Sequence, residues 1–247
     1  VIGAFRSELL KLRTTRVMLG IVLSALAIVA LTTAVPLALG DTSAAPDLSL
    51  WDEGTQRSIF TAPSAATLFA AFVGLLLVTG EYRHGTIRPT FTFVPHRARV
   101  VVAKLGASML AGALIGVLAA ALAFSVAVPW LDAKDVPRLL TTNELLQVAL
   151  GVLGACILWA AIGVGLGAVV RSQVGAIVGL IAWTIVESIL GGVVPRVGRF
   201  TPSEASNALV QAGNAKLAPL VGLAVLAAWA VALAVAGAVA TARRDVP

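Results

Sequence analysis

A chain of 247 residues that is 59% hydrophobic, only 12% charged and of mean hydropathy +0.97 is excluded from the water-soluble globular class. The net charge of +6 and pI near 10.4 do not mark a nucleic-acid binder, because the basic residues gather in short connections between apolar stretches, where they set membrane orientation. The single cysteine, Cys156, excludes an internal disulfide and reads as a small packing residue.

Six stretches carry the apolar content: Val17 to Leu39, Thr61 to Thr79, Val101 to Val128, Leu145 to Val170, Val174 to Val194 and Leu217 to Val239. A helix rises ~1.5 Å per residue against a hydrocarbon core ~30 Å thick, so about twenty apolar residues cross it. The stretches are apolar on every face, which excludes a membrane β-barrel with its period-two alternation. The expected fold is an all-α integral membrane domain of six transmembrane helices occupying the whole chain.

Ahead of the first span, Ile2, Phe5, Leu9 and Leu12 share one helical face, with Arg6, Lys11 and Arg13 on the other. This predicts a short amphipathic helix lying in the membrane interface. The first span has basic residues before it and Ala38-Leu39-Gly40 after it, as a signal peptide would. Its apolar run is too long for one, so it reads as a retained span. If the amino terminus is cytoplasmic, twelve Lys and Arg fall inside and six outside. Both termini are therefore expected in the cytoplasm.

Further along, Asp41, Asp47, Asp52 and Glu53 read as a solvated outer loop. After span 2 comes an expected cytoplasmic loop, residues 80–100. It holds Gly80-Glu81-Tyr82-Arg83-His84-Gly85-Thr86-Ile87-Arg88 and Pro95-His96-Arg97, with Lys104 just beyond. Phe91 and Phe93 lie among its charges, a composition suited to docking another protein, and Pro89 would end or kink a helix there. His84 and His96, the only histidines, lack a ligand cluster, so no metal site is expected.

Spans 3, 4 and 5 carry G-x-x-x-G pairs at Gly112/Gly116, Gly163/Gly167 and Gly175/Gly179, which favour close helix packing. Arg171-Ser172-Gln173 forces spans 4 and 5 into an antiparallel hairpin. Glu187 is the one ionisable residue deep in a span, ~20 Å in by helical rise, with Trp183 one turn before it. Glu187 and Trp183 are candidates for a translocation path or a subunit seam; the plainer alternative is a carboxyl hydrogen-bonded to a neighbouring helix. The outer stretch 191–216 is broken by glycine and proline, with a short helix expected from Ser203 to Ala215.

The loop pattern of Gly80-Glu81, Gly85-Thr86, Pro95-x-Arg97 and Lys104, with the Ser7-Glu8-Leu9-x-Lys11 arm, resembles the ABC-2 type permease family, the membrane subunits of ATP-driven exporters. Pro89-Thr90-Phe91-Thr92-Phe93 departs from it, since leucines are more usual there. The resemblance implies a non-catalytic permease subunit in a bacterial plasma membrane; the Ala-, Val-, Leu- and Gly-rich composition fits a high-GC bacterium. It implies a loop that couples to a cytoplasmic ATPase through Glu81, Arg83, Gly85, Thr86, Arg88, Pro95, Arg97 and Lys104. The partners implied are two ATPase copies, which would hold the ATP and Mg, and a second permease chain, identical or homologous. The chain contains no G-x-x-x-x-G-K-[ST] phosphate loop. A scaffolding membrane protein without transport and, further off, an intramembrane enzyme are the alternatives.

Overall fold

In lipid every backbone polar group has to find its partner within the protein, so an apolar stretch has helix as its local solution. A computed structural model describes residues 2–86, 97–211 and 215–243, and these form helices with no strand. In order they are α1 (Ile2–Thr14), α2 (Arg16–Leu39), α3 (Glu53–Thr61), a 3-10 turn (Ala62–Ala65), α4 (Ala66–Arg83), α5 (Arg97–Ala133), α6 (Thr142–Val170), α7 (Gln173–Val193), α8 (Pro195–Gly198), α9 (Pro202–Val210) and α10 (Pro219–Arg243). Six segments are long and apolar enough to cross a membrane: Arg16–Leu39, Glu53–Arg83, Val100–Ala133, Thr142–Val170, Gln173–Val193 and Pro219–Ala242. The chain is a multi-pass helical membrane protein. The second span is longer than expected, because α3 and the turn around Pro63 extend it outward.

Helix α6 is the hub, and glycine makes it so. A Cβ on Gly74 of α4 would lie 2.0 Å from the Ala160 carbonyl oxygen, and one on Gly163 would lie 2.0 Å from that of Ala71. On other sides of α6, a Cβ on Gly112 of α5 would meet the Cys156 carbonyl at 2.5 Å, and one on Gly165 the Leu233 carbonyl carbon at 2.5 Å. No hydrophobic effect drives apolar helices together in a bilayer, so backbone approach of this kind is what holds the bundle. Two of the three G-x-x-x-G pairs act in this way. The third does not: among the described residues nothing lies within 4 Å of a Cβ on Gly179, and one on Gly175 meets only the side chains of Val170, at the end of α6, and Ser172. Its helix, α7, turns Val174, Val178, Ile181, Ile185 and Ile189 outward.

The α6–α7 connection is Arg171-Ser172, with Arg171 in the left-handed region (φ 58°) where α6 ends. Arg171 donates from a guanidinium NH2 to the Ala240 carbonyl at 2.6 Å and stacks over the Tyr82 ring at 5.5 Å. The amino end of α7, the ends of α4 and α6, and the last turn of α10 therefore meet at one end of the bundle. The opposite end is clamped by α3. Gln56 donates to the Leu50 and Pro137 carbonyls at 2.9 and 2.8 Å and accepts from the Leu139 amide at 2.9 Å. Beside it Arg57 bonds Glu53 at 2.7 Å, Glu144 at 2.9 Å and the Gln211 carbonyl at 3.1 Å.

The expected outer helix forms as α9, starting one residue earlier than expected but ending at Val210 rather than Ala215, and its place is deeper than a surface position. Its second turn packs under α6, where a Cβ on Gly151 would lie 2.2 Å from the Leu209 carbonyl. The Trp159 indole, well inside α6, donates to the Ser206 hydroxyl at 2.6 Å. The segment thus dips back among the spans, where protein rather than lipid surrounds its backbone.

Candidate functional site

The described cytoplasm-expected end holds a compact ion cluster drawn from three helices. Lys104, eight residues into α5, has only 2% of its surface exposed. It spends all three ammonium donors: on Glu8 at 3.0 Å, on Glu81 at 2.8 Å and on the Leu77 carbonyl at 3.1 Å. Lys11 completes the set, donating to Glu8 at 2.8 Å and to Glu81 at 2.5 Å. Two acids and two amines balance in charge, which is what permits such burial. One atom is left over: among the described residues, Glu81 Oε2 is buried without a hydrogen-bond partner. The cluster lies along a cleft of about 800 Å³ between α1, α4 and the start of α5.

Local sequence explains each placement. Glu81 lies in the last turn of α4, and Gly85 follows it in the left-handed conformation (φ 67°). The Thr86 amide donates to the Glu81 carbonyl at 3.0 Å and the Gly85 amide to that of Tyr82 at 3.4 Å. This is a Schellman termination, and it accounts for Gly85 standing four residues after Glu81. On α1, Glu8 and Lys11 lie one turn apart, so both reach the same spot. Phe5 seats the helix against α5, its ring 3.2 Å from where a Gly106 Cβ would stand. Leu9 and Leu12 are half-buried, and Leu10 is exposed.

Burial draws Lys11 downward, but the two carboxylates at its ammonium outweigh that and hold its pKa above the ordinary 10.5. Lys11 therefore stays charged across the physiological range.

Of the residues expected to couple, Glu81, Gly85 and Lys104 take part in this cluster and its helix end. Arg83 is exposed and donates to Gln173 at 3.2 Å, and Thr86 is exposed beyond Gly85. Arg88 and Pro95 lie outside the described residues, as do Pro89, Phe91, Phe93 and His96 and the side chain of Arg97. Trp183 and Glu187 are elsewhere: they sit in α7, where Glu187 accepts from the Ser203 amide at 3.1 Å. Glu8 and Lys11 are the residues that sequence reasoning passed over as site members. The signal was available, because a lone acid in a basic arm and a lysine just inside an apolar stretch each need a counter-ion. No metal-binding group of His, Cys, Asp and Glu occurs among the described residues. The chain matches no family model, and no curated protein matches it significantly.

Proposed function

We propose that this chain is the permease subunit of an ABC-2 type exporter in a bacterial plasma membrane, driven by a separate cytoplasmic ATPase that binds the ATP and Mg. The observation that carries the reading is convergence. The two motif-like segments, Ser7-Glu8-Leu9-x-Lys11 and Gly80-Glu81 with Lys104, are far apart in sequence yet meet in one ion cluster. A loop pushed by an ATPase needs stiff roots, and Glu81 and Lys104 are the roots of the 80–100 loop on either side. Through Glu8 and Lys11 they also grip α1, which leads directly into α2. Displacement of the loop is then passed to α2, α4 and α5 as one body, opening and closing a path at a seam with a second permease chain. In this scheme Glu81 and Lys104 act as positioning residues, while the exposed Arg83 and Thr86 and the residues that follow meet the ATPase. The outward small-residue face of α7 at Gly175 and Gly179 leaves room for close approach of that second chain or of lipid.

The test is co-purification from native membranes, followed by ATP hydrolysis in the reconstituted complex. A bound ATPase whose turnover falls with Arg83→Glu, while assembly persists, supports the proposal. A chain that purifies without any nucleotide-hydrolysing partner, or a Thr86→Cys labelled only from outside the cell, overturns it.

A further inference from the structure

Three of the five tryptophans meet at mid-depth, away from the ion cluster. Trp159 of α6, Trp183 of α7 and Trp229 of α10 line a crevice of about 240 Å³ together with Ile162, Leu180 and Pro202. Trp183 and Trp229 each stand ten residues into their helices, hence ~15 Å from those ends. Their ring centroids are 5.8 Å apart at 54°, an open tilt rather than a closed stack. The indole N–H of Trp159 is spent on Ser206, and that of Trp229 on the Phe200 carbonyl at 3.0 Å. What these two rings offer the crevice is therefore π surface.

One turn beyond Trp183 comes Glu187, only 3% exposed. Its Oε2 accepts from the Ser203 amide, next to Pro202 in the crevice wall, but among the described residues its Oε1 has no hydrogen-bond partner. Among the described residues no lysine or arginine pairs with it. Of the cations nearby, Lys216 pairs with Glu204 at 2.8 Å, Arg199 lies over the Phe200 ring at 4.7 Å, and Arg196 is exposed on the helix after α7. A carboxyl buried without a counter-charge is costly in its ionised form, and an ammonium bound beside it would offset that cost. The faces of indole rings attract organic ammonium groups, most strongly where water is excluded.

We propose that this crevice binds a lipophilic organic cation of the arylammonium class, its ammonium among the indole faces on the Glu187 side and its apolar part along Ile162 and Leu180. The volume admits a ligand of about ten non-hydrogen atoms, at roughly 20–30 Å³ each. The inference does not rest on the ATPase reading, since the residues that form the crevice are all of this chain, Gly179 on the outward face of α7 included.

The probe is phenyltrimethylammonium, titrated into the purified full chain in a neutral maltoside detergent and followed by tryptophan fluorescence. Its neutral carbon isostere, tert-butylbenzene, is the paired control, and choline is the control for a headgroup ammonium without an apolar arm. Saturable binding of the probe, at least about tenfold tighter than either control, is expected. Glu187→Gln keeps an acceptor for Ser203, so it should fold, and it should weaken the cation about tenfold while leaving the isostere unchanged. Trp229→Phe, which retains an aromatic face, should weaken the cation less than Trp229→Leu. Equal affinity for probe and isostere, choline binding as tightly as the probe, no saturable binding, or a Glu187→Gln variant indistinguishable from wild type would each overturn the proposal.

Discussion

Replacing Lys104 with methionine keeps the length and apolar stem of the side chain and removes only the ammonium. The loss is local and countable. Glu8 Oε2 loses its donor, the Leu77 carbonyl loses its side-chain donor, and Glu81 Oε1 keeps Lys11 alone. Both acids stay buried, Glu8 at 2% and Glu81 at 6% exposure. Breaking one side of a buried ion pair costs about 3–5 kcal/mol, because the surviving charge is stranded. The glycine contacts around α6 do not involve Lys104, so the cost should fall on the docking of α1 rather than on the whole bundle. At about 1.4 kcal/mol per decade, transient undocking should become roughly 100- to 4,000-fold more frequent. A cysteine at Ala103, 2% exposed and facing the same cleft, reports this through its thiol-labelling rate in a Cys156→Ala background. The double variant Glu81→Gln with Lys104→Met leaves Glu8 and Lys11 matched, and should label more slowly than Lys104→Met alone. A rate rise below about fivefold, the scale of an exposed pair, would refute the reasoning. So would a double variant no better than the single.

Three further outcomes follow from the packing and the charges. Gly74→Ala and Gly163→Ala each force a Cβ to within 2.0 Å of a carbonyl oxygen, and should lower stability in detergent-titrated unfolding by about 1–3 kcal/mol; Gly179→Ala, which meets nothing within 4 Å, should be silent. Because the carboxylates raise the Lys11 pKa above 10.5, its contribution to docking is complete below that value and lost as pH rises through the folded value. Docking of α1, read by the same labelling rate, should therefore weaken above about pH 10.5 rather than near neutrality. Arg57→Met removes the clamp between α3, Glu144 and Gln211, and should cost about 1.5–3 kcal/mol in the same unfolding assay, with accelerated proteolysis of the segments flanking α3 as a second readout.

The helical spans could be read from the chain because hydropathy is a local property: twenty apolar residues in a row need no knowledge of neighbours. Each observed span lies within a few residues of its expected bounds, except where α3 prolongs the second. Two glycine pairs were legible for the same reason, since small residues four apart mark a face that can be approached. Sequence could not say which pair would be used, because approach also requires a partner backbone, and Gly175 and Gly179 have none among the described residues. The arm illustrates the limit further. Its apolar spacing was visible, yet Glu8 is its most buried described residue, because a lysine on a helix 96 residues away required an acid there. Glu187 was legible as an anomaly in an apolar stretch, but its hydrogen bond to the start of α9 was not, nor was the gathering of Trp159, Trp183 and Trp229. Composition and pattern alone thus determined that the chain is helical and membrane-embedded. Only the folded arrangement decided which charges neutralise one another and which aromatic rings share a crevice, because spans that are apolar on every face carry no periodicity to name their neighbours.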